Sequence, residues 1–210
     1  NPTDPTGTVS FTPESDQHGE AVITVTAESG GSDGDLLTPG DNLTFSRSFT
    51  VTVLSVNDPP EITAPASLTV AEDGEGFFGA ATSNALTVAD VDATTLELTL
   101  SVSNGVVALG PRSLGIAVQE GDRTGSSQLR ILGSAGNLTR ALNGLTYLPD
   151  ADFAGNDTLS LSVNDRGGAG GGGVQADSAS VSITVTPLDD IPENSVPGTQ
   201  TTDEDTTLSF

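Results

Sequence analysis

The chain has no cysteine, no lysine and no tryptophan, one histidine, one tyrosine, and no long uninterrupted apolar run. Without cysteine there is neither a disulfide framework nor a thiolate metal site, and zinc would have to rely on carboxylates and His18. The six basic residues are all Arg and face 19 Asp and 10 Glu, for a formal net charge of −23. Nucleic acid is excluded as a partner, because its phosphate backbone demands a basic footprint. No stretch approaches the ~20 apolar residues of a membrane helix, so no membrane insertion is expected of this segment. With no Trp, and with Tyr147 at a strand position, few rings are left for a sugar to stack on. His18 lies beside Gly19 in an exposed turn without a Ser or Cys nucleophile constellation. No carboxylate pair is marked as acid and base across a cleft, so no catalysis is expected.

What the chain does have is repetition. YLPDADFAGNDTLSLSVND, Tyr147 to Asp165, lies without a gap over FTPESDQHGEAVITVTAES, Phe11 to Ser29, at an offset of 136. SVSITVTPLDDIPE from Ser180 lies over SFTVTVLSVNDPPE from Ser48, and TTDEDTTLSF from Thr201 over TVAEDGEGFF from Thr69, both at an offset of 132. A domain-sized period of this kind reads as beads on a string, with function belonging to the array. Residues 1–58 read as the C-terminal part of one repeat, 59–190 as a complete repeat, and 191–210 as the N-terminal strand of a third.

Within the repeats the pattern is all-β. Apolar residues alternate in Thr95–Val102, Thr158–Val163, Ala179–Val185, Ala21–Ala27 and Phe49–Val53, which is the signature of half-buried strands. Turn clusters at Ser103-Asn104-Gly105 and Glu120-Gly121-Asp122 separate strands. The Gly167–Gly173 run reads as a flexible hairpin loop with no chemistry of its own. One short helix is expected, capped by Asn137, with Leu138, Ala141 and Leu142 facing inward and Gly144 as terminator. About seven strands in the complete repeat predict an immunoglobulin-like sandwich. In 1–58 only the last strands of a repeat are present, so their apolar inner face should be partly uncovered. The sequons at Asn42, Asn137 and Asn156 matter only where the source glycosylates secreted proteins, and chance occurrence is the default in so Asn- and Thr-rich a chain.

Strand direction sorts the acids into two groups. From Pro59-Pro60 the first strand runs 12 residues to Glu72, about 40 Å at ~3.3 Å per residue, roughly a domain length. The return strand delivers Asp90-Val91-Asp92 beside the incoming linker Asn57-Asp58, where the strand ending at Asn164-Asp165 also arrives. Asp150 and Asp152 fall at the far pole with Glu72 and the outgoing linker Asp189-Asp190. The repeat offset places Glu14 and Asp16 where Asp150 and Asp152 stand, facing the first linker. Read singly, a DxD is a solvated Asx turn and Asn-Asp-Pro a stiff linker. Six to eight oxygens from Asp, Glu, Asn and carbonyls are what Ca²⁺ takes, and without a cation such acids would repel one another.

The order Glu72, Asp90-x-Asp92, Asp150-x-Asp152, a T-L-x-L-x-V-x-D strand ending at Asp165 and an ND or DD linker before Pro resembles cadherin repeats. The VNDPPE linker, the AEDG and DEDT openings, the GLTYLPDADFAGNDTLSLSVND core and the SITVTPLDD closing are similar to cadherin-like tandem repeats of very large bacterial surface and secreted proteins. The resemblance covers essentially the whole chain and implies Ca²⁺ between consecutive repeats. The first junction would use Glu14, Asp16, Asn57, Asp58, Asp90, Asp92 and Asp165. The second would use Glu72, Asp150, Asp152, Asp189 and Asp190, completed by a DxD beyond residue 210. Departures are Asp-Ala-Asp where cadherins have Asp-Arg-Glu, a shorter linker, and Glu28-Ser29 where the second repeat has Asn164-Asp165. They reduce the expected load to one or two ions per junction.

The function implied is a calcium-stiffened, rod-forming extracellular repeat of an adhesin-type bacterial protein, at the cell surface or secreted, serving cell or biofilm adhesion. Its partners would be adjacent repeats of the same chain and a cell-surface protein or polysaccharide. The alternatives are a polysaccharide-binding module and a spacer appended to a secreted multidomain enzyme.

Overall fold

The computed structural model describes residues 7–32, 34, 36–37, 43–168, 170–192 and 194–209. Two long strands, β1 (Gly19–Ser29) and β2 (Leu43–Val53), pair antiparallel along their whole length, with Ile23 opposite Phe49 and Ala27 opposite Phe45. Their other face carries Thr and Ser, joined across the ladder by Thr24–Ser48 at 2.8 Å and Thr26–Ser46 at 2.7 Å. The apolar face of this hairpin is uncovered, with Phe45, Phe49 and Val25 all exposed.

Residues 59–190 form a β-sandwich. Its first strand is broken in two: β3 (Glu61–Thr63) and β4 (Ser67–Ala71) flank Ala64-Pro65-Ala66, where Pro has no N–H to continue a ladder. The return is broken likewise. After β5 (Gly76–Phe78) comes one 3-10 turn, Ala80–Thr82, closed by Ser83 at φ 59, and then β6 (Thr87–Ala89). There follow β7 (Leu96–Ser101), β8 (Gly105–Ala108), β9 (Ala117–Glu120), β10 (Gln128–Gly133), helix α1 (Ala135–Leu142), β11 (Leu145–Pro149), β12 (Gly155–Asn164) and β13 (Ala176–Thr186). One layer is a six-stranded sheet in the order β4-β13-β12-β7-β10-β9. The facing layer is made by the sheets β5-β11-β8 and β3-β6. Strand β13 runs parallel to β4 and the other ladders are antiparallel.

Between the layers lies one core. Leu96, Leu98 and Leu100, Leu159, Leu161 and Val163, and Val181, Ile183 and Val185 point inward from the larger sheet, against Phe78, Val107, Leu145 and Tyr147. Each buried Leu-sized side chain contributes about 1.5–3 kcal/mol.

The strands number eleven within 59–190 among the described residues, where alternation predicts about seven, because Pro65 and the Gly79–Ser83 turn split two of them and β8 and β9 are short. The helix begins earlier than expected. Its cap is Ser134, whose hydroxyl accepts from Asn137 N at 3.4 Å, while Asn137 lies inside the helix and donates its side-chain amide to Gly115 O at 3.0 Å. Leu138, Ala141 and Leu142 are buried as expected, and Gly144 follows at φ 99. Thr139 binds Val88 N at 2.9 Å and Val88 O at 3.0 Å, pinning α1 to the strand that leads into Asp90.

Backbone conformation repeats at the sequence offsets. Asp16 and Asp152 share φ 59, Gly19 and Gly155 take φ 128 and 148, and Asp73 and Asp205 take φ 60 and 65. The same tight turn closes Gln17 N to Glu14 O and Phe153 N to Asp150 O. Asp tolerates the left-handed region because its short side chain bonds locally. The described residues of 194–209 share the turn at Asp205 but form no strand. In the sandwich the matching β4 is held by β13, and 194–209 has no such ladder among the described residues. Of the sequons, Asn42 lies outside the described residues.

Candidate metal centre at the first junction

Where β2 hands over to the sandwich, the linker residues Asn57 and Asp58 are bonded to Asp165 and to Asp92 of the Asp90–Asp92 loop respectively. Asp90 closes an Asx turn, its Oδ1 accepting from Asp92 N at 3.0 Å and Ala93 N at 2.6 Å. Asp92 Oδ2 accepts from Asp58 N at 3.2 Å, which ties the DxD loop to the linker. Asn57 donates its Nδ2 to Asp165 Oδ2 and, at 2.9 Å, to Gly173 O.

Three atoms are left over. Asn57 Oδ1, Asp90 Oδ2 and Asp92 Oδ1 are buried without a hydrogen-bond partner. Each belongs to a side chain whose other polar atom is bonded to the protein, so these are ordered groups with one oxygen spare. A buried unsatisfied acceptor costs about 1–3 kcal/mol, and groups of this kind call for a partner such as an ordered water or a cation. All three are hard oxygen donors, the chemistry Ca²⁺ takes.

Asp165 is 2 % exposed, and both of its oxygens are engaged: Oδ1 accepts from Gly167 N at 2.8 Å and Gln175 N at 2.9 Å, Oδ2 from Asn57. Burial pushes its carboxyl upward, but these hydrogen bonds, Gln175 foremost, outweigh it and hold it below the usual carboxylate range. Its observed role is to orient Asn57.

Asp16 lines a cleft of about 610 Å³ together with His18, Leu54, Ser55, Val56, Asp58, Val91 and Asp92. Glu14 lies outside it, on an adjoining hollow of about 370 Å³ bounded by Phe11, Pro13, Gln17 and His18. Among the described residues no three His, Cys, Asp or Glu side chains group closely enough to hold a metal by themselves, so a cation here would need donors besides the carboxylates.

The second set is not assembled in the same way. Glu72 is buried at the far pole, and its Oε1 accepts from Leu188 N at 2.5 Å. Asp150, Asp152, Asp189 and Asp190 are exposed, and among the described residues no hydrogen bond joins them to one another.

One buried acid was missed by the strand pattern. Asp157 accepts from Ser103 N at 3.1 Å and Thr158 N at 2.7 Å on Oδ1, and from Asn104 N and Tyr147 OH, both at 2.9 Å, on Oδ2. Its parity with Leu159, Leu161 and Val163 is the signal: extending the strand by one residue puts Asp157 on the inner face, where a carboxylate needs partners.

No helix among the described residues is long and apolar enough to cross a membrane. No family model and no curated protein sequence matches the chain. Among solved structures it is similar to a mouse cadherin-23 fragment, EC22-24, at 17 % identity over 81 % of this chain and 43 % of that one, with a TM-score of 0.38. It is also similar to a cohesin module from a Clostridium perfringens family 33 glycoside hydrolase, at 13 % identity over 65 % of this chain and 100 % of the module, with a TM-score of 0.34. The chain spans under half the length of the cadherin fragment.

Proposed function

We propose that this chain is a calcium-binding, rod-forming segment of a large extracellular repeat protein of the adhesin type, in which cations at repeat junctions stiffen the array. The observation that carries the reading is the trio of buried, partnerless oxygens on Asn57, Asp90 and Asp92. These residues would hold the ion, with Asp16 and Asp58 on the adjoining cleft. The ion would supply charge neutralisation among carboxylates that otherwise repel in a chain of net charge −23. The protein's own part is to fix the donors: the Asx turn aims Asp90, the Asp58 N–H orients Asp92, and Asp165 holds the Asn57 amide so that its oxygen faces away. Ligands from the linker and from the sandwich would then belong to one site, and the angle between successive repeats would be restricted. The polysaccharide-binding alternative gains little here, because Tyr147 is buried with its hydroxyl bonded to Asp157.

The test is calorimetric titration of residues 1–210 with Ca²⁺ and Mg²⁺, beside thermal melts in chelator and in each ion. Asp90→Asn/Asp92→Asn serves as the variant that keeps the turn geometry. Extracellular calcium modules bind with Kd about 10⁻⁴–10⁻³ M, and a hundredfold excess over Kd stabilises by about 2.7 kcal/mol. Calcium-specific stabilisation that the double variant loses supports the proposal. A wild-type chain indifferent to Ca²⁺ sinks it and leaves the acids as solvation.

A further inference from the structure

The glycine-rich loop between β12 and β13 does more than close a hairpin. Its described residues, 165–168 and 170–175, lie against the linker from the preceding repeat. Asn57 N donates to Gly171 O at 2.8 Å, Gly171 N donates to Ser55 O at 3.1 Å, and Val56 and Gly171 make a parallel bridge. Gln175 Nε2 donates to Asn57 O at 2.9 Å, and Asn57 Nδ2 donates to Gly173 O and to Asp165. The backbone N–H, the backbone carbonyl and the side-chain amide nitrogen of Asn57 are therefore all held by this one loop.

Glycine is needed for the approach. Gly170 sits at φ +138, and a Cβ there would meet Ser55 Oγ at 2.7 Å, Ser55 O at 2.8 Å and Ser55 C at 2.9 Å, contacts closer than side-chain carbon tolerates. Gly172, at φ +128, faces Asn57. Gly168, by contrast, has open space around its missing side chain. Asp165 ties the base of the loop through Gly167 N and Gln175 N, so the glycines are presented from a fixed stem on the central sheet.

We infer that the 165–175 loop is a latch: it binds the linker of the preceding repeat by adding it as a short extra strand, and it holds the junction in register without any cation. The partner is linker backbone, recognised by main-chain hydrogen bonds as in β-strand addition. Asn57 is the shared residue, with its nitrogen in the latch and its free oxygen at the metal centre, so the latch is also a positioning device for that oxygen. The inference stands on hydrogen bonds between protein groups and is independent of calcium binding.

Amide hydrogen exchange on residues 1–210 in chelator tests it. Wild type should protect the Asn57 and Gly171 amides without metal. Gly170→Val should lower that protection by roughly tenfold, the effect of losing about one net hydrogen bond, while the β7–β12 ladder stays protected. Gly168→Ala should change neither. If Gly170→Val compromises the whole fold, Asn57→Asp is the second variant: it keeps an oxygen for a metal but replaces the donor facing Asp165, and it should release the same amides. The latch is overturned if Asn57 exchanges at the unprotected rate in chelator, if protection appears only with Ca²⁺, or if Gly170→Val leaves Asn57 protected. Protection confined to the calcium form would still support the cation proposal. A chain protected in chelator that never binds Ca²⁺ would keep the latch and remove the cation proposal.

Discussion

Replacing Asp157 by Ala is the sharpest probe of the sandwich, because that carboxylate is 7 % exposed and organises four donors. Truncation removes the charged acceptor of the Tyr147 hydroxyl, which keeps only Asn104 O at 3.0 Å, and leaves the Ser103 and Asn104 N–H groups at a turn that water partly reaches. One hydrogen bond to a charged group contributes about 1.5–3 kcal/mol and each partly rescued N–H about 1, so the expected loss is about 3–5 kcal/mol. Tyr147→Phe alone leaves the carboxylate three N–H donors and should cost about 1.5 kcal/mol. The double variant should fall short of the sum by about 1 kcal/mol or more, because the Tyr–Asp bond is removed once. The repeats make the same point. Phe11 and Ala21 stand where Tyr147 and Asp157 stand, so hydroxyl and carboxylate disappear together. Urea unfolding at fixed calcium measures all three variants. The pH dependence has a defined sign. Burial pushes the Asp157 carboxyl up, but hydrogen bonds from Asn104, Thr158, Ser103 and Tyr147 outweigh it and hold it below its ordinary value. Its stabilisation is therefore complete above the unfolded value near ~3.9 and is lost as pH falls through the lower folded value. The gap between wild type and Asp157→Asn should close only below about pH 4. An Asp157→Ala cost under about 1 kcal/mol, or strict additivity with Tyr147→Phe, would refute the network.

Gly105→Ala should destabilise by about 1–3 kcal/mol through overpacking, since its Cβ would run into Leu148 O and meet Tyr147 Cε2 at 2.9 Å; a neutral result in thermal melts would mean the β8–β11 contact is looser than described. Ser134→Ala should cost about 1 kcal/mol by removing the cap of α1, which chemical denaturation measures. Chelator should lower the melting temperature of wild type and leave Asp90→Asn/Asp92→Asn unchanged, as read by circular dichroism.

Much of the fold was readable from parity alone. Leu96, Leu98 and Leu100, and Leu159, Leu161 and Val163, alternate because one face of each strand meets the core, and period two needs no tertiary knowledge. Counting strand lengths also carried Asn57, Asp58, Asp90, Asp92 and Asp165 to one pole, because an extended chain has a fixed rise. Local chemistry was less readable. Ser134 and Asn137 both cap well, and the choice depends on where Ala135 first packs, which periodicity locates only to within a turn. Asp157 was hidden because the strand was started one residue late. The latch could not be read at all: a glycine run says that backbone can approach something, and only the fold says that the something is Ser55 to Asn57.

The β1–β2 hairpin shows that alternation by itself does not bury a face. Ile23, Val25 and Ala27 match Leu159, Leu161 and Val163, and Phe49, Val51 and Val53 match Val181, Ile183 and Val185. In the sandwich the matching residues are at most 2 % exposed, yet Val25 is 43 % and Phe49 48 % exposed in the hairpin. What differs is the opposing sheet, which in 59–190 brings Phe78, Val107, Leu145 and Tyr147 over that face. A two-stranded hairpin without such a cover is marginal. Its described contacts with the sandwich run through the linker, where Val53 to Asp58 border Val91 and Asp92 across the cleft and Ser55 to Asn57 enter the latch. The contacts described between hairpin and sandwich therefore lie at the linker. There the chain places a glycine loop that binds backbone and a set of oxygens with none of their own partners, two devices acting on the same residue, Asn57.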